Sequence, residues 1–132
     1  MNMNQLFSNI LCVALGSATG GVLRYLISEL LARLCPMSRL PLGTLCVNVF
    51  GCFLIGFLSD LCWRGHTLSP ETKLICITGF CGGFTTFSTF VNDDAKLFRD
   101  GHIFLCLFYL LLSFTLGMFA LWMGNRLAKS IF

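Results

Sequence analysis

The sequence predicts an all-α integral membrane protein with four transmembrane helices per chain, the third broken at its centre, assembled as an antiparallel, dual-topology homodimer. Three observations carry the membrane-helix part of this expectation, and the loop charges taken up below carry the dual topology. Of 132 residues, 56% are hydrophobic and 11% charged, with a mean hydropathy of +0.82, whereas a soluble domain carries about a quarter charged residues. Windows of about 20 apolar residues, the length needed to cross hydrocarbon, recur at Ile10 to Leu34, Leu42 to Trp63, Leu74 to Val91 and Ile103 to Met123. The third window contains Gly79-Phe80-Cys81-Gly82-Gly83-Phe84-Thr85-Thr86-Phe87-Ser88-Thr89-Phe90, three glycines and four hydroxyl residues in an otherwise apolar run. Glycine holds a helix poorly, and in lipid every freed N–H or C=O needs a partner. Such a break survives only where it is buried in protein or lines a polar cavity, so the segment points to transport.

Connections read at Cys35 to Pro41, Arg64 to Lys73 and Asn92 to His102 are short, leaving a single transmembrane domain over 1–132. The opening Met-Asn-Met-Asn-Gln has no Lys or Arg, and the apolar run behind it is too long for a signal-peptide core, so the first helix is expected to be retained. The net charge of +3 is spread along the chain, which gives no support for nucleic-acid binding. Eight cysteines (Cys12, Cys35, Cys46, Cys52, Cys62, Cys76, Cys81 and Cys106) mostly fall inside apolar runs without C-x-x-C spacing. They read as small packing hydrophobes rather than metal ligands or a disulfide framework.

Orientation follows from loop Lys and Arg, because the richer flank stays cytoplasmic. Arg33 and Arg39, with Lys96 and Arg99, lie on one side, and Arg64 and Lys73, with Arg126 and Lys129, on the other, four against four. A zero bias predicts that both orientations are made, unless one helix end decides alone. Four helices are few to enclose a polar route, and an inverted second copy would supply what many transporters obtain from an inverted repeat.

In the first span, Arg24 costs about 2.5 to 3.5 kcal/mol at mid-membrane, and reads as a vestibule charge attracting anions or as an anchor. Glu29, five residues on, can pair with it only loosely, while Gly16-x-x-x-Gly20 followed by Gly21 offers a flat packing face. In the second span, Gly43, Thr44, Asn48, Gly51 and Cys52 form a small, polar stripe on one face. Asn48 either lines a route or makes an interhelical hydrogen bond, since its amide is costly to bury unpaired. In the third, Phe87 and Phe90 share a face after the glycines, interleaved with Thr85, Thr86, Ser88 and Thr89. An aromatic stripe is ordinarily core, but here ring edges, which are electropositive, hydroxyls and an amide together would suit a small anion. In the fourth, Tyr109 and Ser113 align, with Gly117 four further on. They form a polar track, or an interfacial tyrosine and a serine bonded to its own backbone.

These residues resemble the Fluc (CrcB-type) fluoride channel family through all four spans. The motifs that carry the likeness are Gly20-Gly21-x-x-Arg24-Tyr25, Gly43-Thr44-x-x-x-Asn48-x-x-Gly51 and the segment Gly79 to Phe90, the last being highly specific. The resemblance implies an antiparallel homodimer with two fluoride pores lined by Phe87, Phe90 and Asn48. It also implies a structural Na+ between subunits, held by backbone carbonyls of Gly82 and Thr85 from both chains, a polar track at Tyr109 and Ser113, and Arg24 near the vestibule. Some relatives carry a further hydroxyl where this chain has Gly117, and Thr89 stands where others have serine. The expected activity is passive export of F⁻ across a bacterial inner membrane by a multi-pass channel, conferring fluoride resistance.

The rival readings are a small dual-topology drug/proton antiporter, an intramembrane enzyme and a structural subunit. An antiporter needs an embedded carboxylate, and Glu29 near the end of the first span is the sole candidate. An enzyme needs a nucleophile and base, whereas His66 and His102 read as loop residues and Asp93 and Asp94 follow the third span without a metal-ligand partner. A structural subunit has no need of a Gly-Thr-Ser-Phe interruption.

Overall fold

Asn2 starts the first helix by accepting a 2.9 Å hydrogen bond from the Gln5 N–H, which satisfies one of the orphan donors of a helix N-terminus. In the computed structural model, which describes residues 2–63 and 68–131, this helix, α1, runs Met3–Leu34 and stops before Pro36. Helix α2 spans Leu42–Trp63. The third segment begins with a short helix, α3 (Pro70–Lys73), capped by the Ser69 side chain and with proline in its first turn. It continues as a π-helix over Leu74–Cys81 and a single turn, α4 (Gly82–Phe84). Thr85 and Thr86 are extended, with ψ of 158° and 119°. Helix α5 then runs Phe87–Arg99, and α6 runs Ile103–Ile131. Among the described residues the chain is all-helical, and four stretches are long and apolar enough to cross a membrane.

The stretch read as a loop from Asn92 is helical through Arg99. Phe90, Asp94 and Leu97 recur at helical spacing on one buried face, so the helix is amphipathic where the apolar window ends. It closes in a Schellman turn: the His102 N–H donates to the Leu97 carbonyl at 2.9 Å and the Gly101 N–H to the Phe98 carbonyl at 3.1 Å, with Gly101 at φ +80°. Helices α1 and α6 likewise outrun their apolar windows, to Met3 and Ile131. Arg64 and His66, expected in the second connection, lie outside the described residues.

Two pairings build the bundle. Helix α1 lies against the third segment through Gly16 and Gly20, where an added Cβ would strike the Ile75 and Phe80 carbonyl oxygens; the flat face expected of these glycines is used. Helices α2 and α6 approach through Gly56 and Gly124, which meet the Leu121 and Phe53 backbones. A small core of Leu45, Phe90, Leu97, Cys106 and Tyr109 joins α2, α5 and α6. Much of the remaining apolar surface, such as Leu15, Phe104 and Leu111, is exposed, as expected for helices whose outer faces meet lipid rather than water.

Candidate functional site

Where the third segment leaves helical geometry, its backbone polar groups need partners from elsewhere. Asn48 on α2 supplies them. Its Oδ1 accepts from the Thr86 N–H at 2.8 Å, and its Nδ2 donates to the Thr86 carbonyl at 3.0 Å. One side-chain amide thus clamps an extended residue on both sides, as a neighbouring strand would. Thr86 in turn caps α5: its Oγ1 accepts from the Thr89 N–H at 3.2 Å and lies 3.0 Å from Thr89 Oγ1. Gly51, one turn beyond Asn48, lets α2 close on Thr85; a Cβ there would strike the Thr85 methyl.

This bonding leaves two carbonyls without their usual helical donors. The N–H groups four residues beyond Gly82 and Thr85 belong to Thr86 and Thr89, and both are donated to side-chain oxygens instead. Gly82 is exposed, and a Cβ placed on it would meet open space. These two oxygens suit a hard monovalent cation, although one chain offers too few of them for a closed shell. Among the described residues no three His, Cys, Asp or Glu side chains converge on a metal-sized site.

Beside the clamp lies an open groove of about 380 Å³, lined by Asn48, Thr86, Phe87, Phe90, Ser113 and Cys52, with Gly117 among its further walls. Phe87 is 75% exposed and Phe90 7% exposed, their centroids 6.1 Å apart. The Phe90 ring packs 5.3 Å from Tyr109 and meets Phe114 edge-on at 6.4 Å. Tyr109 is fully buried; neither its hydroxyl nor the buried hydroxyl of Ser113 makes a hydrogen bond of good geometry among the described residues, although the Thr44 and Ser113 hydroxyls lie beside that of Tyr109. A buried hydroxyl without a well-formed hydrogen bond costs up to about 1 to 3 kcal/mol, so two on one helix face have bonding capacity to offer another polar species.

The structure thus brings Asn48, Phe87, Phe90 and Ser113 to one groove, with Tyr109 behind Phe90. It sets the other expected residues apart. Thr44 is buried and donates to Asp93 Oδ2 at 2.7 Å, and Ser88 is exposed, 3.5 Å from Thr86 Oγ1. Arg24 is half-buried on α1, its Nε without a partner among the described residues. Glu29 pairs with Arg33 at 3.1 Å, one turn on.

Four residues have a part here that the sequence reading did not assign: Thr86 and Cys52, noted only among the hydroxyls and in the α2 stripe, and Asp93 and Asp94, which lie outside the groove lining. Thr86 acts through its backbone and as a helix cap, and a threonine directly before a helix start was the available signal. Asp93 receives Thr44 and lies 3.7 Å from Lys96, a long-range pairing with no local signature. Asp94 is 7% exposed, with neither carboxylate oxygen in a hydrogen bond of good geometry among the described residues and the Cys106 thiol beside it. Cys52, read both as a packing residue and as part of the small stripe with Asn48, lines the groove, its sulfur 3.4 Å from where a Gly117 Cβ would stand.

Comparison with known proteins adds a second line. Residues 11–125 match the family model described as CrcB-like protein, Camphor Resistance (CrcB). The chain is 42% identical over 127 residues to the fluoride-specific ion channel FluC of Chlorobium phaeobacteroides (strain BS1), covering 96% of this chain and 98% of that one. It is 43% identical over 124 residues to FluC of Agrobacterium fabrum (94% and 98%) and 38% identical over 122 residues to FluC of Flavobacterium psychrophilum (92% and 98%).

Proposed function

Because this chain belongs to the CrcB family, we propose that it is a fluoride-specific ion channel, a multi-pass protein of the bacterial cell membrane that lets F⁻ leave the cytoplasm passively. It is a channel and not an enzyme. The observation that carries the reading is the groove beside the Asn48 clamp, where aromatic edges adjoin hydroxyls with bonding capacity to spare within a bundle of apolar helices. The antiporter alternative finds no support, since Glu29 is committed to an exposed pair with Arg33.

Fluoride is small and tightly hydrated, so a selective route must replace its water with donors while staying too narrow for larger halides. The Tyr109 and Ser113 hydroxyls and the second N–H of the Asn48 amide are such donors. Thr44, Ser88 and Thr89 extend the hydroxyl set, and the ring edges of Phe87 and Phe90 attract without trapping. Conduction requires binding weak enough to release, which keeps the full charge of Arg24 at a vestibule rather than in the constriction.

In this reading the third span is a broken helix, and the channel is an inverted homodimer embedded in the bilayer, with its two-fold axis in the membrane plane. The balanced loop charges support the dual topology. The Gly82 and Thr85 carbonyls of both copies would hold a structural Na+, which supplies fixed positive charge at the centre of the dimer. Accessibility of terminal tags from both membrane faces tests the topology; labelling from one face alone contradicts it. A fluoride electrode tests the function: reconstituted vesicles are expected to release F⁻ and retain Cl⁻, and equal release of both overturns it.

A further inference from the structure

At the end of the bundle where α5 turns into α6, two basic side chains from distant parts of the chain converge. Arg39, in the α1–α2 loop, brings Nη1 to 3.4 Å from His102 Nε2. Arginine has no acceptor, so a hydrogen bond here has the guanidinium donating to Nε2. One long contact uses a single N–H of a guanidinium that carries five in a planar fork suited to phosphate. The Schellman turn at Gly101 sets His102 at this position.

The pair rims an open recess of about 670 Å³ whose floor is apolar: Phe104, Leu105 and Phe108 on the first turns of α6. Phe104 is 90% and Phe108 52% exposed on a helix long and apolar enough to span the membrane. No carboxylate lines the recess among the described residues; Asp100, close in sequence, is exposed and outside it. Donors at the end of a span, beside an exposed apolar shelf, match an amphiphile in charge and in polarity. A free anion has no use for the shelf.

We propose that Arg39 and His102 form a binding site for the headgroup phosphate of an anionic phospholipid, with an acyl chain lying along Phe104 and Phe108. The site is separate from the groove and does not depend on the reading of the protein as a channel. Native mass spectrometry of the purified full-length protein, titrated with phosphatidylglycerol or phosphatidylcholine, tests it. Phosphatidylglycerol is expected to be retained about tenfold better than phosphatidylcholine, and Arg39→Gln to remove that preference while the protein still elutes as the unsubstituted species does, the loss of one charge-assisted contact. If R39Q does not yield folded protein, H102Q is expected to weaken retention in the same direction. Equal retention of the two lipids, retention unchanged by these substitutions, or displacement of the lipid by millimolar inorganic phosphate overturns the proposal.

Discussion

Both seams of this bundle close on glycines, Gly16 and Gly20 in one and Gly56 and Gly124 in the other, but they differ in how many polar groups they carry. Between α1 and the third segment, Gly16 and Gly20 press backbone against backbone, and the contact is small and close. Between α2, α5 and α6, the chain imports polar groups: Asn48 clamps Thr86, Thr44 bonds Asp93, and the Tyr109 and Ser113 hydroxyls make no hydrogen bond of good geometry among the described residues. A polar atom in lipid is costly unless partnered, so the first seam is built to hold and the second to receive. What separates scaffold from route in an apolar bundle is where hydrogen-bonding capacity is left over.

The largest blow to that contrast falls on the holding seam. Gly20→Leu drives a side chain into the Phe80 carbonyl, so folded protein is expected to be lost from size-exclusion profiles; a normal profile with normal flux would break the distinction. Asn48→Leu is next: it strands both polar groups of Thr86, at about 1 to 3 kcal/mol each, and should lower the thermal unfolding midpoint and flux together. Ser113→Ala and Tyr109→Phe sharpen the comparison most, because they remove hydroxyls that make no hydrogen bond of good geometry among the described residues. Stability should hold or rise slightly, while fluoride flux falls about ten- to a hundredfold, the worth of one hydrogen bond to an ion. A matching drop in stability would return those hydroxyls to the scaffold. The smallest effect is expected at the exposed Glu29–Arg33 pair, where Glu29→Gln should shift stability by less than about 0.5 kcal/mol.

Much of this was legible in the sequence because the governing signals are local. Apolar windows located the four long helical stretches, and glycine spacing located the seam between α1 and the third segment. The Gly-Thr-Ser-Phe run marked the place where the third segment turns extended at Thr85 and Thr86. The end of α5 was misread because a hydropathy window sees the mean of a segment, whereas Asp94 and Leu97 continue the helix by burying one face. The partners of Asn48 and Thr44 lie 38 and 49 residues away, and no local pattern announces a pairing at that range. The sequence reading allowed Asn48 either a route or a hydrogen bond. In the structure one side chain makes the bond and also lines the groove.

The central claim is that a small anion crosses beside the rings of Phe87 and Phe90. Electrode-recorded fluoride release from vesicles carrying Phe90→Ile, in protein that still elutes as the unsubstituted species does, tests it most directly. The account predicts silence; undiminished release would contradict it.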